Sequence, residues 1–279
     1  MNIKDFIPPI VFKIRNKILH TEAVNPMHEV VFESYQTAQT KCIVGDYQNV
    51  ELCDMIAEKT IIYRDSLLKQ PNTLNATNVF LLAAINTIRL NDPLKPMTIL
   101  DFGGACGAHY FEIRNFLPET FSLKWIVLET PQMVLSAKEK NMETKELLFL
   151  DNMNDLPKID FIYSSCALHY TSNAYMFLED LLKIGANSIL FNRMMFNEND
   201  KDLITIQKSL LSDNGPGPMP KKYTDKIMTY PHTTLSFNKF NSTVLKHYKL
   251  NWVFNEATGN FKIGNEPIIG RGLFYVKKD

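Results

Sequence analysis

The run Ile99-Leu100-Asp101-Phe102-Gly103-Gly104-Ala105-Cys106-Gly107-Ala108 sets a glycine turn directly after an apolar strand and before a helix expected over Ala108 to Phe116. Glycines at such a turn let the backbone bend sharply and approach a ligand closely. The helix that follows aims unpaired N–H groups at the same place. On its own the pattern is also satisfied by a tight strand-to-helix turn without a ligand.

Three acids extend it. Asp101 stands inside the turn. Glu129 closes the next apolar run, 129 − 103 = 26 residues after the first glycine. A carboxylate there can accept hydrogen bonds from ribose hydroxyls. Asp151 closes the third run, in Leu150-Asp151-Asn152, where it can accept from the exocyclic amine of adenine. Each acid alone also fits a solvated strand end. Together they occupy consecutive strand ends on the carboxyl edge, where open α/β sheets bind ligands.

A nicotinamide dinucleotide calls for G-x-G-x-x-G, and here those positions read Gly103, Ala105 and Ala108. Asp101 also sits badly beside a pyrophosphate. S-adenosylmethionine carries no phosphate, but an ammonium and a sulfonium, and a carboxylate in the turn suits that charge.

Asp-x-Gly-Gly-x-x-Gly after an apolar strand resembles motif I of class I S-adenosylmethionine-dependent methyltransferases. It departs from their commoner D/E-x-G-x-G-x-G by Ala105 and the extra Gly104. With Glu129-Thr130-Pro131, Leu168-His169-Tyr170, Tyr63-Arg64-Asp65-Ser66, Phe6-Ile7-Pro8-Pro9 and Tyr35-x-x-Ala38…Gly45-Asp46-Tyr47, the chain more narrowly resembles a family of methyltransferases encoded among bacterial surface-polysaccharide genes, for O-antigen or capsule. The resemblance implies that Asp101, Gly103, Gly104 and Gly107 line the methionine end of the cofactor. It implies Glu129, with Thr130, at the ribose, Asp151 and Asn152 near the adenine, and Ser164 and Ser165 beside the methionine portion. It also implies a sugar or nucleotide-linked glycan precursor as substrate.

Methyl transfer from a sulfonium to a hydroxyl is an in-line displacement that benefits from a base. His169 follows the fourth apolar run and is the expected catalytic base; packing beneath the site is its bland alternative. His232, in Tyr230-Pro231-His232-Thr233, is the second candidate. Arg193 ends the fifth run and offers a planar fork to a substrate phosphate or carboxylate. Tyr170 and Arg64 complete the candidate substrate contacts, and Arg64 can alternatively pair with Asp65. No metal-ligand cluster is readable.

The elements that must position these residues fall into two parts. Residues 1–96 read as a helical cap. Its helices are expected over Met27 to Cys42, Val50 to Leu68 and Asn75 to Leu90, the last opening on an Asn75 or Thr77 cap and closing at Asn91-Asp92-Pro93. Residues 97–279 read as a Rossmann-like, doubly wound, mostly parallel seven-stranded sheet. Its strands begin at Thr98, Lys124, Glu146, Ile159 and Ser188, and a late antiparallel pair, Leu250 to Glu256 and Gly272 to Lys277, lies at one edge. A lid is expected near 197–240, around Asp213-Asn214-Gly215-Pro216-Gly217-Pro218.

Composition bounds the partners. Apolar residues make up 45% and charged residues 22%, the balance of a globular chain. Lys plus Arg equal Asp plus Glu at 30 each, which argues against a nucleic-acid scaffold. No apolar run approaches the roughly 18 residues of a membrane span. Lys4, Lys13, Arg15 and Lys17 among Phe6, Ile10, Val11 and Phe12 allow peripheral membrane contact, or docking onto the domain. Four scattered cysteines, Cys42, Cys53, Cys106 and Cys166, read as free thiols of a reducing, cytoplasmic compartment. The oligomeric state is open. The alternatives to a methyltransferase are a catalytically inactive S-adenosylmethionine-binding protein and a nicotinamide-dependent oxidoreductase.

Overall fold

The apolar runs after Pro96 become β1 (Met97–Phe102), β2 (Leu123–Leu128), β3 (Leu147–Leu150), β4 (Phe161–Ser165) and β5 (Ser188–Asn197). The computed structural model describes residues 30–42, 47–69, 74–90, 93, 95–154, 156–256 and 261–278. All five strands run parallel, with β1 flanked by β2 and β4. Near-continuous Val, Ile, Leu and Phe is what burial on both faces requires.

The alternation of side chains sorts these strands onto two cores. Ile99, Trp125 and Val127 face one cluster, with Leu52 and Met55 of α2 (Val50–Leu67), Leu81 and Ile85 of α3 (Ala76–Arg89), Ile113 of α4 (Ala108–Arg114) and Met133 of α5 (Pro131–Glu139). Leu100, Ile126 and Ile162 face the other, with Leu178 of α6 (Ala174–Ile184) and Phe240 of α7 (Phe237–Val244). The cap helices α2 and α3 thus share a core with the sheet.

After β5 come β6 (Leu203–Leu210), β7 (Ile227–Ser236), β8 (Tyr248–Asn255), β9 (Phe261–Ile263) and β10 (Glu266–Lys277). The main path runs β3-β2-β1-β4-β5-β10-β8. β10 is antiparallel to both β5 and β8, so the late pair exists, with β10 inside and β8 at the edge. This is a Rossmann-like doubly wound order, reversing between β1 and β4. Among the described residues the expected seven strands are corrected to a mixed sheet of ten, seven on the main path, with β6, β7 and β9 off it. β6 and β7 form an antiparallel hairpin, and β7 joins β5 through Phe196↔Leu235 and Asn197↔Ser236. The stretch expected as a lid therefore carries a hairpin.

Asn49 caps α2 and Asn75 caps α3, each accepting from a backbone N–H three residues on. The first described helix is shorter than expected. α1 spans Tyr35–Gln39, because extended Ser34 caps it and Phe32 forms a bridge with Ile204. The basic N-terminal segment around Phe6 to Lys17, Gly45-Asp46 and the helix stop Asn91-Asp92 lie outside the described residues. Among the described residues no helix is long and apolar enough to cross a membrane. The four cysteines are free thiols.

Candidate functional site

The carboxyl ends of β1 to β5 open onto a cavity of about 1360 Å³. Gly103, Gly104, Ala105 and Ala108 form part of its wall. Asp101 lies beneath the bend, fully buried, and its Oδ2 accepts from His109 Nδ1 at 3.1 Å and Trp125 Nε1 at 3.2 Å. Its Oδ1 has no partner. A Cβ on residue 104 would lie 2.9 Å from Oδ1 and closer still to Oδ2, so only glycine lets the backbone rest there. Ala105 adopts φ 48°, a left-handed conformation costly for a residue with a Cβ. Glu129 Oε1 holds it there by accepting its N–H at 3.0 Å. Ala105 thus takes a left-handed conformation that glycine would adopt without that cost. Gly107, at φ 78°, precedes the first turn of α4.

Glu129 lies just beyond β2 and lines the cavity; its Oε2 accepts from the Thr130 N–H at 2.8 Å. Burial pushes its carboxyl up to about 6, against the opposing pull of the Thr130 and Ala105 N–H groups. Thr130 lines the cavity, accepts from the Met133 N–H as the cap of α5 and donates to the Tyr47 carbonyl at 3.0 Å. Asp151 and Asn152 lie beyond β3, in contact at 2.8 Å, and also line the cavity.

On the other flank, Ser164 is buried and its hydroxyl has no partner, whereas Ser165 reaches the cavity and accepts from Arg193 Nε at 2.8 Å. Arg193 sits at φ 52°, and its backbone N–H is accepted by Glu256 Oε1 and Asn192 Oδ1. Tyr170 lines the cavity, donates to Gln207 and packs edge-on against Tyr47 at 5.4 Å. Tyr47 stacks on Tyr230 at 4.9 Å.

His169 is fully buried and does not form part of the cavity wall. Its Nδ1 donates to the Thr233 carbonyl at 2.7 Å and its Nε2 accepts from the Met195 N–H at 3.0 Å. These partners fix the tautomer and tie the end of β4 to β5 and β7. Burial lowers its pKa to about 4, the Thr233 carbonyl opposing. The expected base is therefore corrected to a buried cross-link: neither nitrogen is free to take a proton from a substrate. His232 stacks on it at 4.8 Å, buried and outside the cavity wall, with Nε2 unpartnered. Burial pushes its pKa well below the usual value. Arg64 likewise does not reach the cavity; it pairs with Asp65 at 2.9 Å and lies over the Phe111 ring.

Glu112, Gln207 and Tyr230 of the cavity wall, and Lys59 outside it, are not marked as site residues by the sequence. Glu112 on α4 accepts from the Tyr63 hydroxyl of α2 and the Asn78 amide of α3. Gln207 and Tyr230 come from the hairpin. Lys59 of α2, 1% exposed, donates to the Ser212 and Asn214 carbonyls at 2.6 and 2.7 Å, and so holds the β6–β7 connection against the cap. Glu112 and Lys59 belong to no local motif; each is an isolated polar residue within an apolar helical pattern.

No family model matches the chain, and no curated protein matches it. Solved structures resemble it distantly. An S-adenosylmethionine-dependent methyltransferase from Clostridium acetobutylicum ATCC 824 is 13% identical, over 78% of this chain and 98% of that one, with a TM-score of 0.43. S-adenosylmethionine-bound CalS10, an amino pentose methyltransferase from Micromonospora echinaspora, is 10% identical over 78% and 97%, with a TM-score of 0.47. The CcbJ methyltransferase from Streptomyces caelestis is 9% identical over 75% and 99%, with a TM-score of 0.44. Likenesses this remote carry no chemistry across to this chain.

Proposed function

We propose that the chain is an S-adenosylmethionine-dependent methyltransferase acting on a small molecule. The observation that carries this reading is the charge of the cradle. The glycine bend lies on the buried Asp101 carboxylate, with Glu112 and Glu129 on the surrounding wall. Among the described residues no lysine or arginine pairs with any of the three. Such a cradle repels a pyrophosphate and suits a nucleoside bearing positive charge. The donor set fits the cofactor: Gly103 to Gly107 would hold its amino-acid end, Glu129 its ribose hydroxyls, and Asp151 with Asn152 its adenine.

The cofactor, when bound, supplies an electrophilic methyl group on sulfur. The chain's own part is alignment, which is worth roughly 7–11 kcal/mol when both reactants are fixed. Tyr170, Tyr47 and Tyr230 shape the acceptor half of the cavity, and Ser165 fixes the Arg193 fork beside it. We assign the acceptor as a hydroxyl of a sugar or of a nucleotide-linked precursor of a surface polysaccharide. The support is the resemblance in sequence, the tyrosine surfaces that suit a sugar ring, and Arg193, which suits a phosphate. His169 acts by positioning the strand ends.

Because His169 and His232 are sealed from the cavity, a second reading is a cofactor-binding protein without catalysis. Titration calorimetry with S-adenosylmethionine, S-adenosylhomocysteine and NAD tests the cofactor assignment: binding of the first two and not the third supports it, and the reverse removes it. Release of S-adenosylhomocysteine in the presence of nucleotide sugars then separates the enzyme from the inactive binder.

A further inference from the structure

Glu112 lies one turn into α4 and is 6% exposed. Its Oε1 accepts from the Tyr63 hydroxyl and its Oε2 from Asn78 Nδ2. Both donors are neutral, and no lysine, arginine or histidine among the described residues forms an ion pair with it. Asn78 is 2% exposed, and because its Nδ2 is spent on Glu112, its Oδ1 is left without a partner. Both residues line the cavity.

A buried carboxylate without a cation and a buried amide oxygen without a donor are each costly. Here the two deficits are adjacent, and one group removes both: a cation with several N–H donors. Each carboxylate oxygen keeps a second lone pair beside the bond it already accepts. A primary ammonium offers three donors, enough for Glu112 and Asn78 Oδ1 together. A hydroxyl would satisfy Asn78 but leave the charge of Glu112 uncompensated. Among the described residues no group of three or more metal-ligating side chains exists to favour a metal ion.

We propose that Glu112 and Asn78 form the subsite for the α-ammonium of the cofactor's amino-acid tail. The inference rests on the methyltransferase reading and deepens it. Position supports it. Glu129 and Asp151 follow β2 and β3, on one flank of β1, while Glu112 stands on the helix leaving the bend, against the cap helices α2 and α3. A ligand anchored by its ribose at Glu129 and laid across Gly103 and Gly104 brings its far end toward Glu112.

The test compares three ligands by titration calorimetry: S-adenosylhomocysteine, its deaminated analogue with hydrogen in place of the α-amino group, and methylthioadenosine, which lacks the whole tail. The native protein should bind the deaminated analogue about 10- to 100-fold more weakly than S-adenosylhomocysteine, the range of a charged hydrogen bond. In Glu112→Gln, affinity for S-adenosylhomocysteine should fall by that factor, while the other two ligands keep theirs within about twofold. Equal native affinity for the first two ligands would overturn the proposal. So would a Glu112→Gln protein that weakens all three in parallel, since that marks a purely structural role. Should Glu112→Gln not fold, Asn78→Ala carries the same comparison, with a smaller loss confined to S-adenosylhomocysteine. A native protein that binds none of the three removes the cofactor reading itself, which is distinct from binding without amino-group preference.

Discussion

Gly104 rests on the buried carboxylate of Asp101, so closely that a Cβ at 104 would overlap it. Asp101 can yield little, because Trp125 and His109 hold it from the side. Gly104→Ala must therefore lift the bend away from the strand. Overpacking of this kind costs about 1–3 kcal/mol, a fall of several degrees in Tm for a chain of this size. S-adenosylhomocysteine affinity should drop at least tenfold, read by calorimetry on the folded variant. Unchanged Tm and affinity would show that the bend has slack and that its contact with Asp101 is incidental.

Glu129 carries a pH signature. Its folded pKa of about 6 stands above its ordinary 4.5. Between these values the folded chain keeps a proton that the unfolded chain has released, so this group lowers stability as pH rises through the window, by about 2 kcal/mol in all. Ligand binding should run the opposite way if ribose hydroxyls donate to the ionised form. S-adenosylhomocysteine affinity should weaken as pH falls below about 6, and Glu129→Gln should weaken it about tenfold at neutral pH and flatten that dependence. Calorimetry from pH 5 to 8 measures both, and an unaltered pH dependence in Glu129→Gln would place the ribose elsewhere.

His169 gives a different signature. Its folded pKa is about 4 against an ordinary 6.5, so its stabilising contribution is complete above 6.5 and is lost as pH falls toward 4. The amount is about 3 kcal/mol, and His232 acts in the same direction. Tm should climb between pH 4.5 and 7, and His169→Gln should lower Tm at neutral pH and reduce the slope. If the residue positions rather than transfers protons, that variant's methyl-transfer rate keeps the pH profile of the native protein. A native rate limb near 4 that disappears in the variant would restore His169 as the base.

Lys59 clamps the β6–β7 connection through two backbone carbonyls. Lys59→Met keeps the length of the side chain and removes the donors, leaving both carbonyls short of a partner, at a cost of about 2–4 kcal/mol. Asn214, which accepts from the Tyr230 hydroxyl, moves with that connection. The expected outcome is a lower Tm and a raised acceptor KM, with S-adenosylhomocysteine Kd nearly unchanged. A changed Kd with KM intact would place the clamp on the cofactor side.

The glycine bend and the acidic strand ends were legible in sequence because their parts are local. Asp101, Glu129 and Asp151 each close or directly follow an apolar run, and parallel strands bring such ends to one edge. The Glu112 cluster was not. Glu112, Tyr63 and Asn78 lie on three helices and meet through tertiary packing alone. The expectation of a lid rests on Asp213-Asn214-Gly215-Pro216-Gly217-Pro218, which admits no regular structure; the strands on either side are less legible, because Pro231 stands within β7, where proline argues against a strand. It is tolerated because β7 meets β5 only at Leu235 and Ser236, which leaves Pro231 paired on one side, with Ile206. The position of His169 at a strand end was readable. The Met195 and Thr233 backbone groups that occupy its ring were not, since they lie on the unread extension of β5 and on β7.

A crystal structure with S-adenosylhomocysteine reads all of these contacts at once. The sulfur is expected over the Gly103–Gly107 bend, the ribose hydroxyls on Glu129, the adenine beside Asp151 and Asn152, and the α-amino group at Glu112. A ligand bound elsewhere, or a bend left vacant at saturating ligand, would contradict this placement.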